Sequence, residues 1–122
     1  MFDLEFSPAD PDVLATASYD SSVKVWEAAS MRLLSTLDGP SGHIVYSLAW
    51  SRDGARIATG TGKGLVTVWD VAKRRVVWQK RHHSLQVYGI AWNALDPSLI
   101  ASSAADEHLL ILKADSGEEK QR

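Results

Sequence analysis

Val66-Thr67-Val68-Trp69-Asp70 decides the fold, because the chain writes it more than once. Forty-three residues earlier stands Val23-Lys24-Val25-Trp26-Glu27, and forty-three residues later Leu109-Leu110-Ile111-Leu112-Lys113. The neighbouring stretches repeat in step. Leu14-Ala15-Thr16 matches Ile57-Ala58-Thr59 and Ile100-Ala101-Ser102, and Val45-Tyr46-Ser47-Leu48-Ala49-Trp50 matches Val87-Tyr88-Gly89-Ile90-Ala91-Trp92. Several registers agree at once, so the chain is built from an internal repeat of about 43 residues, the period of stacked or radial repeat architectures.

Within each unit, short runs rich in Val, Ile, Leu, Trp and Thr are separated by turn residues. These are Ser7-Pro8, Asp20-Ser21, Asp38-Gly39-Pro40, Asp53-Gly54, Gly62-Lys63-Gly64, Asp96-Pro97 and Ser116-Gly117. Starts recurring about every ten residues read as antiparallel strands joined by tight turns. A helical reading is poorer, since Gly and Pro interrupt too often and β-branched residues cluster. The pattern predicts strands near 2–6, 13–17, 22–27 and 32–37 in the first unit. The second unit has them near 45–50, 56–60, 65–70 and 75–80, and the third near 87–92, 98–103 and 108–113. The polar ending 116–122 has no apolar pattern and is expected to fray.

Composition bounds the function. The 122 residues are 45% hydrophobic and 23% charged, with a net charge of −2. That suits one folded domain and gives no overall attraction to nucleic acid or an anionic membrane. The absence of cysteine excludes disulfides and thiolate metal sites. No apolar run approaches the length of a membrane span. Acidic residues in Met1-Phe2-Asp3-Leu4-Glu5 argue against a secretory signal, so a cytoplasmic or nuclear setting is expected.

A unit of this length, with Gly42-His43 before its first strand and Trp69-Asp70 closing its third, resembles the WD40 repeat. The resemblance covers the chain up to about Lys113. It implies an all-β fold of antiparallel four-stranded blades forming an incomplete, open β-propeller of about three blades. The units fall at 1–40, 41–82 and 83–115, the third without its fourth strand, followed by the polar tail 116–122. It also implies a buried hydrogen-bond set of His, Ser or Thr, Asp and Trp. The matching positions are Thr16, Asp20 and Trp26 in the first unit, His43, Thr59 and Trp69 in the second, and His83, Ser102 and Asp106 in the third. No unit carries all four: the first has no histidine, Lys63 stands where the second should have Asp, and Leu112 replaces the third Trp.

The resemblance places Tyr19, Tyr46 and Tyr88 on the top face, the surface such proteins most often offer to partners, with Ile44 and Gln86 beside them. Tyrosine suits contact, combining apolar area with a polar tip. The plainer alternative is ordinary channel and strand packing. Lys73-Arg74-Arg75 and Lys80-Arg81-His82-His83 flank Val76-Val77-Trp78. They read either as a phosphate or acidic-peptide contact with Trp78 as a stacking surface, or as a charged, partly exposed outer edge strand; the edge is the better reading. His82, His83, Asp106, Glu107 and His108 match no metal-ligand spacing. Thr59-Gly60-Thr61-Gly62-Lys63-Gly64 fails as a phosphate loop, since Gly follows the lysine and no helix is expected there. No paired carboxylates or activated nucleophile stand out.

The sequence therefore points to a non-catalytic protein-interaction scaffold without a cofactor or metal, forming part of a larger propeller. Its expected partners are other proteins or peptides, and further WD repeats in the same or another chain. The alternatives are a protomer that closes a propeller by self-association and a truncated piece with no function of its own.

Overall fold

The strands in a computed structural model of the chain, which describes residues 3–120, follow the repeat. In the first sheet β1 (Asp3–Phe6), β2 (Val13–Ala17), β3 (Ser22–Glu27) and β4 (Arg32–Asp38) pair in chain order, all antiparallel. The second sheet repeats this with β5 (Val45–Trp50), β6 (Arg56–Thr61), β7 (Leu65–Asp70) and β8 (Arg75–Arg81). The third has β9 (Val87–Trp92), β10 (Leu99–Ala104) and β11 (Leu109–Lys113). We call the sheets blades 1, 2 and 3. Phe2, expected in the first strand, lies outside the described residues. Among the described residues no helix is long and apolar enough to cross a membrane.

Alternation along the strands explains how the blades stack. Ala15, Ala17, Val23, Val25 and Leu37 of blade 1 meet Val45, Leu48, Trp50, Ile57 and Trp69 of blade 2 in one core. The alternate residues Ala58, Val66, Val68 and Trp78 of blade 2 meet Val87, Ile100, Leu110, Leu112 and Ala114 in a second. Blade 2 is thus buried on both faces, which is why Ile57–Thr61 and Val66–Trp69 are buried without a break. Blade 1 turns Leu4 and Phe6 outward, and blade 3 turns Leu109 and Ile111 outward. The stack is open at both faces.

Polar bonds reinforce the joints. Leu48 N–H donates to Asp3 at 3.1 Å, and the Trp50 indole donates to the Glu5 carbonyl at 3.0 Å. Between blades 2 and 3, Arg56 pairs with Asp115 at 2.7 Å and the Trp78 indole donates to the Ala114 carbonyl at 2.7 Å.

Two expectations need correction. Trp78 is not a partly exposed edge residue: it is only 8% exposed, because it is the one inward-facing member of an otherwise exposed β8. The stretch after Ser116 does not fray within the described residues. The chain turns at Gly117 and runs back beside β11, with Lys113 N–H donating to the Glu118 carbonyl and Lys120 N–H to that of Ile111. Backbone pairing, which needs no apolar pattern, holds it there.

Candidate partner-binding site

The turns β2–β3, β6–β7 and β10–β11 lie at the same end of the stack as the starts of β5 and β9. Backbone bonds fix this: Val45 N–H to Ser18 O, Gly62 N–H to Ile44 O, and Ala105 N–H to Gln86 O. We call it the top end.

The expected buried set is distributed unevenly over the blades. In blade 3, His83 Nε2 lies 2.9 Å from Ser102 Oγ, and His83 Nδ1 lies 3.1–3.2 Å from the Asp106 carboxylate. That carboxylate also accepts from the Ser84 and His108 N–H groups. Burial pushes Asp106 up, but the N–H donors and the His83 ring outweigh it and hold the carboxyl below its usual range. In blade 2, the Trp69 indole donates to Thr59 Oγ1 at 3.3 Å. In blade 1, the Trp26 indole donates to Thr16 Oγ1 at 3.1 Å, and Asp20 caps its own turn by accepting from Ser22 N–H. Asp20 also sits 3.6 Å from Lys24, and the Ser22 hydroxyl beside it holds it below the usual range.

His43 is the exception. Its Nδ1 is buried and, among the described residues, has no hydrogen-bond partner. Lys63 occupies the turn position that Asp106 fills in blade 3. Burial, then the positive charges of Lys63 and Arg81, depress the His43 pKa.

Tyr46 and Tyr88 come together. Each sits on a β-bulge: Val45 pairs with Thr61 and Ser47 with Gly60, passing over Tyr46, while Val87 pairs with Ala104 and Gly89 with Ser103, passing over Tyr88. A bulge re-aims the side chain it carries. Here the two rings meet edge to face, with centroids 6.1 Å apart and planes at 64°. Tyr46 also lies against Gly62, where an added Cβ would come within 2.8 Å of its ring. The Tyr88 hydroxyl donates to Gln86. Tyr88 is 59% exposed and Tyr46 half-buried. Ile44 is half-buried beside them. Tyr19 is 65% exposed at the same end, on the blade 1 turn.

Next to the tyrosines opens a cleft of about 640 Å³ between blades 2 and 3. It is lined by His43, Lys63, Arg81, Leu85 and Gln86, with Gly62 on its floor. Sequence reading placed Arg81 only in an edge-strand cluster, because its meeting with Lys63 depends on where β8 ends. Trp78 and His82 lie elsewhere: Trp78 is buried, and His82 bonds the Gly117 carbonyl at 2.7 Å. Among the described residues, no three metal-capable side chains converge.

Stacked four-stranded antiparallel blades at a 43-residue period define a segment of a β-propeller. The family model described as "Anaphase-promoting complex subunit 4 WD40 domain" matches residues 4–94, and the chain belongs to that WD40 family. It is 31% identical to WD repeat-containing protein VIP3 of Arabidopsis thaliana, over 81% of this chain and 35% of that protein. It is 29% identical to protein transport protein SEC31 of Chaetomium globosum, over 86% of this chain and 8% of that protein. The chain therefore spans about a third or less of these relatives. Among solved structures, it superposes on the Cps50 (Swd1) β-propeller domain of Myceliophteria thermophila with a TM-score of 0.84. Identity there is 22%, covering 96% of this chain and 36% of that one, a likeness of fold alone. WD40 propellers are in general non-catalytic scaffolds for protein interaction.

Proposed function

We propose that residues 1–40, 41–82 and 83–115 act as three blades of a larger propeller that holds a protein partner at its top end without doing chemistry on it. The observation that carries this reading is the Tyr46–Tyr88 pair. Two bulges at equivalent repeat positions lift two aromatic rings into mutual contact at an open end, beside a cleft. A purely structural tyrosine needs no such lift, and a raised pair of aromatic rings at an open end is what an interface anchor requires. Tyr19, Ile44 and Gln86 extend the same surface. Supporting the reading, a relative named anaphase-promoting complex subunit cdh1 from Dictyostelium discoideum is, by that name, a member of a protein assembly.

The test is recovery of partners by the wild-type chain and by a Tyr46→Ala, Tyr88→Ala double variant of equal circular dichroism. The expected outcome is loss of the same partner by about tenfold or more, as for removal of hot-spot aromatics. Unchanged recovery overturns the reading.

A further inference from the structure

The β10–β11 turn of blade 3 carries a carboxylate at the repeat position that Lys63 takes in blade 2. A carboxylate, Asp106, sits 3.1–3.2 Å from His83 Nδ1 and is gathered in by two backbone N–H groups. In blade 2 that position carries Lys63, and beside it in the cleft His43, at the repeat position of Leu85, has a buried Nδ1 with no partner among the described residues. An unmet buried nitrogen carries a desolvation penalty that a correct partner would remove. The surroundings are also inverted in charge. Lys63 and Arg81 both line the cleft, neither is in an ion pair among the described residues, and no acidic side chain lines it. Each is exposed at its rim, ready to pair.

From this lining we infer that the cleft between blades 2 and 3 receives an acidic side chain, Asp or Glu, from a protein partner, which supplies the negative charge that this cleft lacks. Lys63 and Arg81 supply the charge-assisted hydrogen bonds, with the His43 ring close by in the cleft wall. Leu85 and the adjoining Tyr46–Tyr88 pair give apolar cover for the rest of the segment. The inference rests on the reading of the top end as partner-facing and adds the chemistry of the residue that enters it.

The probe is a fluorescent Gly-Ser peptide carrying two glutamates, compared by anisotropy with its glutamine twin on the full chain at fixed, low salt. The glutamate peptide is expected to bind about tenfold more tightly, one charge-assisted bond's worth, and to shift the His43 imidazole signals. Lys63→Asp supplies the missing carboxylate in cis. It should raise the melting temperature and abolish the preference, so lost binding cannot be lost folding. Lys63→Met should weaken binding without that rise. Equal binding of the two peptides, or an undiminished preference in Lys63→Asp, overturns the inference. So does displacement of the glutamate peptide by equimolar inorganic phosphate, which would make the seat a phosphate site. If the preference is absent while the tyrosine double variant still releases its partner, the seat is wrong and the top-end reading stands. If neither holds, both fall.

Discussion

Gly64 occupies a position where a side chain has neither room nor a comfortable backbone. Its φ is +84°, and an added Cβ would lie 1.9 Å from the His83 carbonyl oxygen. Its own carbonyl accepts from His83 N–H at 3.2 Å, tying the β6–β7 turn to the entry of blade 3. The same left-handed position recurs one repeat away on either side, at Ser21 (φ 72°) and Glu107 (φ 67°), where side chains are tolerated. Gly64→Ala should therefore cost about 2–3 kcal/mol, from left-handed strain and the displaced backbone bond. Glu107→Gly should stay within about 0.5 kcal/mol of wild type, since relief of strain is offset by a freer unfolded chain. Urea midpoints of the two variants check this; similar midpoints would mean that the clash with His83 is not what fixes Gly64.

Strand β8 shows what an element can hide from sequence reading. Its run Arg75–Arg81 is exposed at every position but Trp78. The Trp78 ring edge meets His82, with centroids 6.1 Å apart, and the glycine of the last turn makes space for it: a Cβ on Gly117 would come within 2.5 Å of the ring. Trp78→Phe keeps most of the apolar area but leaves the buried Ala114 carbonyl without its donor. The expected loss is about 1–3 kcal/mol in a denaturant titration; no loss would mean that water or another donor replaces the indole. The strands themselves were legible, because alternation and turn residues are local signals. The Thr59–Trp69 and His83–Ser102–Asp106 contacts were implied by the resemblance to the WD40 repeat, not by any local pattern. The bulges under Tyr46 and Tyr88 could not, since a bulge is a property of two strands' register. Nor could the meeting of Lys63 with Arg81, the packing of Trp78 on Ala114, or the return of Glu118–Lys120 along β11. All of these depend on how separate strands and turns meet, which no periodicity along the chain reports.

Stability against pH belongs to the whole molecule, because several groups titrate with different signs. Burial lowers the pKa of His43 and of His82 below 6.5, the latter against the opposing pull of the Gly117 carbonyl. Below pH 6.5 the unfolded chain therefore binds more protons than the folded one. The stability these groups contribute is complete above that pH and is lost as pH falls through their folded values. Asp20, Asp53, Asp96 and Asp106, all lowered from 3.8, act with the same sign but only at more acidic pH. Glu5 is raised above 4.5, first by burial and then by Asp3, and acts the opposite way. The melting temperature should fall between pH 7 and pH 5, then again below about pH 4. A His43→Gln, His82→Gln variant should flatten the upper limb; an unchanged upper limb would show that other groups govern it. The order of the three sheets has a mechanical consequence as well. Within this segment taken alone, the middle one is clamped from both sides and each outer one from one side, so thermal opening of the isolated segment starts at the flanks and works inward. The cleft straddles the joint between the middle sheet and one flank: Lys63 and His43 belong to one side, Ala105 to the other. A guest that grips both sides acts as a latch, and the tighter it holds, the less often that flank swings open.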